Sequence, residues 1–84
     1  MQTTTDTNAG ITITRTENIY GHVYRTVAYV VSGVAGYGVF DKDNTDLAST
    51  ARNYTIGETD EMHLVLEMLG EGLAKLDLLV GNFA

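Results

Sequence analysis

Thr59-Asp-Glu-Met-His-Leu-Val-Leu-Glu-Met-Leu-Gly-Glu-Gly-Leu-Ala-Lys-Leu-Asp-Leu-Leu-Val80 carries a single period throughout and decides how the rest of the sequence is read. At about 100° of rotation per residue, Met62, Val65, Leu66, Leu69, Leu73, Leu76 and Val80 share one arc about 100° wide. Seven apolar side chains on one stripe predict an amphipathic helix with that stripe facing a core. Thr59 is the expected N-cap, and Asp60 and Glu61 are placed to oppose the helix dipole. Gly70 and Gly72 each cost a helix about 1 kcal/mol relative to Ala, so they signal close backbone packing, a kink, or a break into two helices.

The face opposite that stripe is mixed. Asp60, Glu67 and Glu71 cluster there with Lys75 as the only nearby counterweight, and Leu64, Met68 and Leu78 project among or beside them. Carboxylates interleaved with large apolar groups are what a docking surface needs. The same residues would also serve a second packing surface, against the chain's own loops or a dimer mate.

Upstream, the period changes from 3.6 to 2. Ile11-Thr-Ile-Thr-Arg-Thr16 alternates β-branched apolar and polar residues, and residues 17–21 are expected to turn the chain. His22 to Ser32 is the strongest strand signal. It sets Val23, Arg25, Val27, Tyr29 and Val31 on one face and Tyr24, Thr26, Ala28 and Val30 on the other. With both faces fairly apolar, it reads as a central strand or one with a covered outer face. Ser32-Gly33 suits a turn into a third strand over 35–41, and Asp41 to Asp46 is a polar loop. Residues 47–57 are ambiguous between a fourth strand over 50–56 and a short helix over 46–52. The fold class expected is α+β, an antiparallel sheet of three to four strands with one long C-terminal amphipathic helix on one face. A single domain spans 11–84, preceded by a Thr-rich flexible tail over 1–10.

Composition narrows the chemistry. Eighty-four residues bury only about 60–65% of their unfolded surface, so oligomerisation or a partner is a natural supplement to the core. With no Cys, disulfides and thiolate metal sites are excluded. Residues 1–8 carry no basic residue and do not form a signal or transit peptide. The longest uncharged run, 26–40, is too short and glycine-broken to span a bilayer. The expectation is a cytoplasmic protein with no membrane partner.

Net charge is −6, and it is unevenly placed. Asp6 and Glu17 balance Arg15 and Arg25 in residues 1–40. Residues 41–84 hold Asp41, Asp43, Asp46, Glu58, Asp60, Glu61, Glu67, Glu71 and Asp77 against Lys42, Arg52 and Lys75. Such a surface repels phosphate backbones and is drawn to basic patches, so direct nucleic-acid binding is not expected. A merely solvating acidic face has the same composition.

No catalytic or cofactor signature emerges. His63 and Glu67 have the i, i+4 spacing of two metal ligands, but His22 is the only other imidazole and no third ligand is fixed nearby. Asp41-Lys-Asp-Asn-Thr-Asp46 opens like a calcium loop, yet Asp46 and Arg52 stand where an EF-hand needs Gly and Glu. Gly33, Gly36 and Gly38 lack the third glycine and following helix of a dinucleotide fingerprint. No Ser sits in a nucleophile elbow. The five Tyr residues suit interfaces and strands equally. Neither catalysis nor a cofactor or metal is expected.

In length, localised acidity, ββ(β)α order and lack of Cys, the chain resembles small phage-encoded inhibitors of host defence, the anti-CRISPR group in particular. That resemblance implies a cytoplasmic inhibitor in an infected host, binding a basic, nucleic-acid-binding surface of a protein complex such as a CRISPR effector. Combined with the charge pattern, the expected partner-binding set is Asp41, Asp43, Asp46, Asp60, Leu64, Glu67, Met68 and Glu71. The alternative is a structural or self-assembling protein whose dimer covers the valine-rich strand or the helix's outer face. A small metal protein or enzyme is the third reading.

Overall fold

The computed structural model describes residues 10–57 and 59–81. Four strands come first: β1 (Ile11–Ile19), β2 (His22–Val31), β3 (Val34–Phe40) and β4 (Asp46–Asn53); one helix, α1 (Glu61–Gly81), follows. The strands form an antiparallel meander in the order β1-β2-β3-β4. This is the expected α+β architecture with its helix laid on one sheet face. Apart from Gly10, the tail expected over 1–10 lies outside the described residues.

Two tight turns set the register. Tyr20 and Gly21 have φ of 54° and 83°, and Ser32 and Gly33 have φ of 49° and 84°. Positive φ at both central residues is the I′ geometry whose twist matches that of paired strands. The first hairpin therefore pairs Ile11↔Val30 through Ile19↔His22 without interruption. β1 runs on to Ile19, so residues 17–19 are strand and the turn is Tyr20-Gly21 alone. The ambiguous segment resolves as strand from Asp46, because the third hairpin needs only a short polar loop; Tyr54 to Gly57 then leave the sheet.

β2 is an inner strand, one of the two placements its apolar faces allowed. Tyr24, Thr26, Ala28 and Val30 face the helix, together with Ala35, Tyr37 and Val39 of β3. Two buried clusters result. One joins Ala28, Val30 and Ala35 to Leu64, Val65 and Met68; the other joins Tyr24, Tyr37 and Val39 to Leu76 and Val80.

The helix is unbroken through both glycines but is rotated from the expected orientation. Its buried residues are Leu64, Val65, Met68, Gly72, Leu76 and Val80, whereas Met62 and Leu66 are each 51% exposed. The contact line runs along the i, i+4 row 64-68-72-76-80, about 70° from the centre of the richest apolar arc. Gly72 explains the shift. A Cβ there would lie 2.7 Å from Thr26 Cγ2 and 3.2 Å from the Tyr37 ring, so the helix backbone rests directly on the sheet at this point. Counting apolar side chains gives a glycine no weight, yet this one marks the closest approach.

The N-cap also moves by one residue. Asp60 Oδ1 accepts from Met62 N at 3.1 Å and His63 N at 3.5 Å, placing Asp60 rather than Thr59 at the cap.

Candidate functional site

Strand ends and loops collect at the sheet end where α1 finishes. The β1–β2 turn, the β3–β4 loop and the last helical turn enclose a groove of about 760 Å³. Ile19, Val23, Tyr24, Leu47 and Val80 make it mainly apolar, while His22, Asp41, Lys42 and Asp43 line its polar side. Tyr20, 82% exposed, stands beside the opening.

Local chemistry holds each wall in shape. Asn18 Oδ1 accepts from Gly21 N at 3.1 Å, bracing the first turn. Asp41 Oδ1 accepts from Asp43 N at 2.8 Å and Thr45 N at 3.0 Å, an Asx arrangement that folds the 41–45 loop over its own carboxylate. Asn44 supplies the left-handed residue that loop needs, with φ of 63°. A register shift after Val39 pairs Phe40 with Asp46 and leaves Leu47 as the extra residue, so that Leu47 and Ala48 both pack against the cluster of Tyr24, Tyr37, Val39, Leu76 and Val80. The bulge thereby directs an apolar side chain into the groove.

The structure divides the expected partner-binding set into three groups. Asp41, Asp43 and Asp46 lie on or beside the loop that forms one groove wall. Asp60 is at the helix start, at the other end of a rod about 30 Å long. Glu67 and Glu71 sit on one flank of α1, where Arg52 of β4 reaches both, at 2.9 Å to Glu67 Oε1 and 3.4 Å to Glu71 Oε2. Lys75 is thus not their only counterweight. A cation from a distant strand partly neutralises the pair, and helix spacing gives no sign of it.

Leu64 and Met68 require correction. They are 6% and 0% exposed and belong to the buried cluster with Ala28, Val30 and Ala35. The Gly72 contact turns the helix so that these two side chains point into the sheet. Neither is available to a partner, and the acids of the helix flank lose the apolar contact once assigned to them.

Sequence reasoning missed the groove itself. Ile19, Tyr20, Val23, Leu47 and Val80 come from separate segments, and no periodicity links them. A clue was present in Asp41-Lys-Asp-Asn-Thr, a loop-forming run that placed two acids next to whatever the neighbouring hairpin presented.

Chemically, the groove can hold an apolar side chain beside a cation. Its wall is apolar, its loop side carries the carboxylates of Asp41 and Asp43, and Tyr24 and His22 offer polar edges. His63 is exposed on α1, and among the described residues no three His, Asp or Glu side chains converge as a metal-ligand set. Among those residues, no helix is long and apolar enough to cross a membrane. No protein-family model, curated protein or solved structure matches the chain.

Proposed function

We propose that this chain is a small non-catalytic interaction protein that engages a basic surface of a partner protein through the groove at the loop end of its sheet. One observation carries the reading: an apolar groove of about 760 Å³ walled on one side by the Asp41–Asp43 loop. Apolar lining supplies contact area, and carboxylates at its edge select a segment that presents Lys or Arg beside a large apolar side chain. The charge distribution agrees, since the excess of −6 lies entirely in residues 41–84.

The resemblance to phage-encoded inhibitors of host defence narrows the partner to a nucleic-acid-binding complex in the host cytoplasm, a CRISPR effector being the model case. There the acidic surface would occupy cationic side chains that otherwise hold phosphates, and the chain would compete with nucleic acid without binding it.

Competition on a purified CRISPR effector complex tests this. The chain is expected to displace labelled nucleic acid, with an apparent affinity that weakens steeply as salt rises. The double reversal Asp43→Lys and Asp46→Lys, at exposed positions, should raise the concentration required by about tenfold or more. Displacement by the reversed variant at the same concentration would defeat the reading.

A further inference from the structure

The β1 edge offers a second interaction surface, which meets the acidic groove only at Ile19 and the turn that follows it. β1 is a nine-residue strand in unbroken register with β2, and it is an edge strand of the sheet. Proteins commonly disarm such an edge with a bulge, a proline or an inward charge. β4, the opposite edge, has a bulge and an aspartate at its start, and its Arg52 is committed to Glu67 and Glu71. β1 has no bulge and no proline, and the two charges on its helix-facing side, Arg15 and Glu17, are of opposite sign.

We infer that β1 pairs antiparallel with β1 of a second copy about a two-fold axis at Thr16, joining two sheets into one. The sequence of the strand selects this register. Ile13-Thr-Arg-Thr-Glu-Asn-Ile19 is complementary to its own reversal: about Thr16, Arg15 falls opposite Glu17′, Thr14 opposite Asn18′ and Ile13 opposite Ile19′ (primes mark the second copy). Side chains directly opposite on an antiparallel pair share a face and lie about 5 Å apart, close enough for these pairs to count. A slip by one residue would put side chains of the helix-covered face opposite those of the other face. Axes at Arg15 or Glu17 would oppose like charges, and an axis at Thr14 would set Arg15 against Ile13′.

The surroundings favour a second copy over an unrelated partner. β1 to β3 contain only Arg15, Glu17 and Arg25 as charged residues, so two copies meet through the least acidic part of an acidic molecule. The Arg15–Glu17 contact within one strand is long, at 3.8 Å, and leaves Arg15 57% exposed and able to turn to the opposed Glu17′. Arg52 marks the β4 flank of α1; Leu69, on the other flank by helical rotation, packs against the same buried cluster as Ile11 and Ile13, and Met62 lines a shallow pocket with Ile11. By helical rotation Met62 and Leu66 fall on that β1 flank, which explains why two large apolar side chains of the predicted stripe are half exposed. A strand added beyond β1 continues the floor below them and sets both helices on the same sheet face.

Sedimentation of the full chain tests the inference. At about 100 µM the mass should be twice the 9.1 kDa of one chain. Arg15→Glu and Glu17→Arg each create like-charge pairs across the axis and should weaken association by about tenfold, whereas the double exchange restores complementarity and dimerisation. Both residues are on the surface, and circular dichroism verifies that each variant is folded. A monomeric wild-type chain at that concentration overturns the proposal. So does a dimer indifferent to both single reversals, or one that the double exchange fails to restore. Its failure is distinguishable from failure of the groove reading, because the two are tested by different variants, Arg15 and Glu17 here and Asp43 and Asp46 there.

Discussion

Two glycines one residue apart in the sequence have opposite roles. A Cβ on Gly72 would press into Thr26 and Tyr37, both in the core, while a Cβ on Gly70 would meet nothing within 4 Å. Replacing Gly70 with Ala removes a helix penalty and should stabilise the fold by up to about 1 kcal/mol. Gly72→Ala gains the same propensity but overpacks the seam, and a net loss of about 1–2 kcal/mol is expected. Chemical denaturation of the two variants measures both signs, and a stabilised Gly72→Ala would refute the close approach of helix and sheet. Thr26 lies under the same contact, fully buried, and its Oγ1 has no hydrogen-bond partner among the described residues.

A second residue-scale prediction concerns alkaline pH. Tyr54 donates its hydroxyl hydrogen bond to Glu61 Oε2 at 2.5 Å, and this bond, with partial desolvation behind it, raises the phenol's pKa above its usual value. The folded chain therefore holds that proton more tightly than the unfolded chain. The stabilisation is complete below the unfolded pKa of about 10 and is lost as pH rises through the higher folded value. Tyr54→Phe should flatten the fall in melting temperature above pH 10 relative to wild type. Parallel curves for the two proteins would show that the bond is absent in solution.

At the scale of elements, the pattern of the chain was legible where one period ran long enough. The switch from period 2 to period 3.6 separated sheet from helix, the Ser32-Gly33 turn followed from local chemistry, and the two apolar faces of β2 left a central position as one of two alternatives. Rotation of α1 was not legible, because it depends on where a glycine meets the sheet and not on where apolar residues are densest. That single error moved Leu64 and Met68 from surface to core. It also concealed that Met62 and Leu66 are exposed on the β1 flank. The link from Arg52 to Glu67 and Glu71 was hidden for a related reason: β4 lies beside the helix in space but 15 to 19 residues away in sequence. Exposed pairs of this kind contribute well under about 1 kcal/mol each, so their main consequence is to reduce the negative potential of that flank.

For the whole molecule, charge and shape point to different places. The net charge of −6 is spread over residues 41–84, whereas the groove end brings apolar lining and the carboxylates of Asp41 and Asp43 together. The 41–46 part of the candidate site was readable as a polar acidic loop. Its apolar half was not, because Ile19, Val23, Leu47 and Val80 converge only when a meander, a bulge and a helix end are assembled.

Chemical-shift mapping with a short peptide of Lys, Arg and Leu tests the groove most directly. The account predicts saturable, salt-sensitive shifts concentrated at Ile19, Tyr20, Val23, Lys42, Asp43, Leu47 and Val80, with Glu67 and Glu71 little affected. Shifts centred on the Glu67–Glu71 flank, or no saturable shift in low salt, would contradict it.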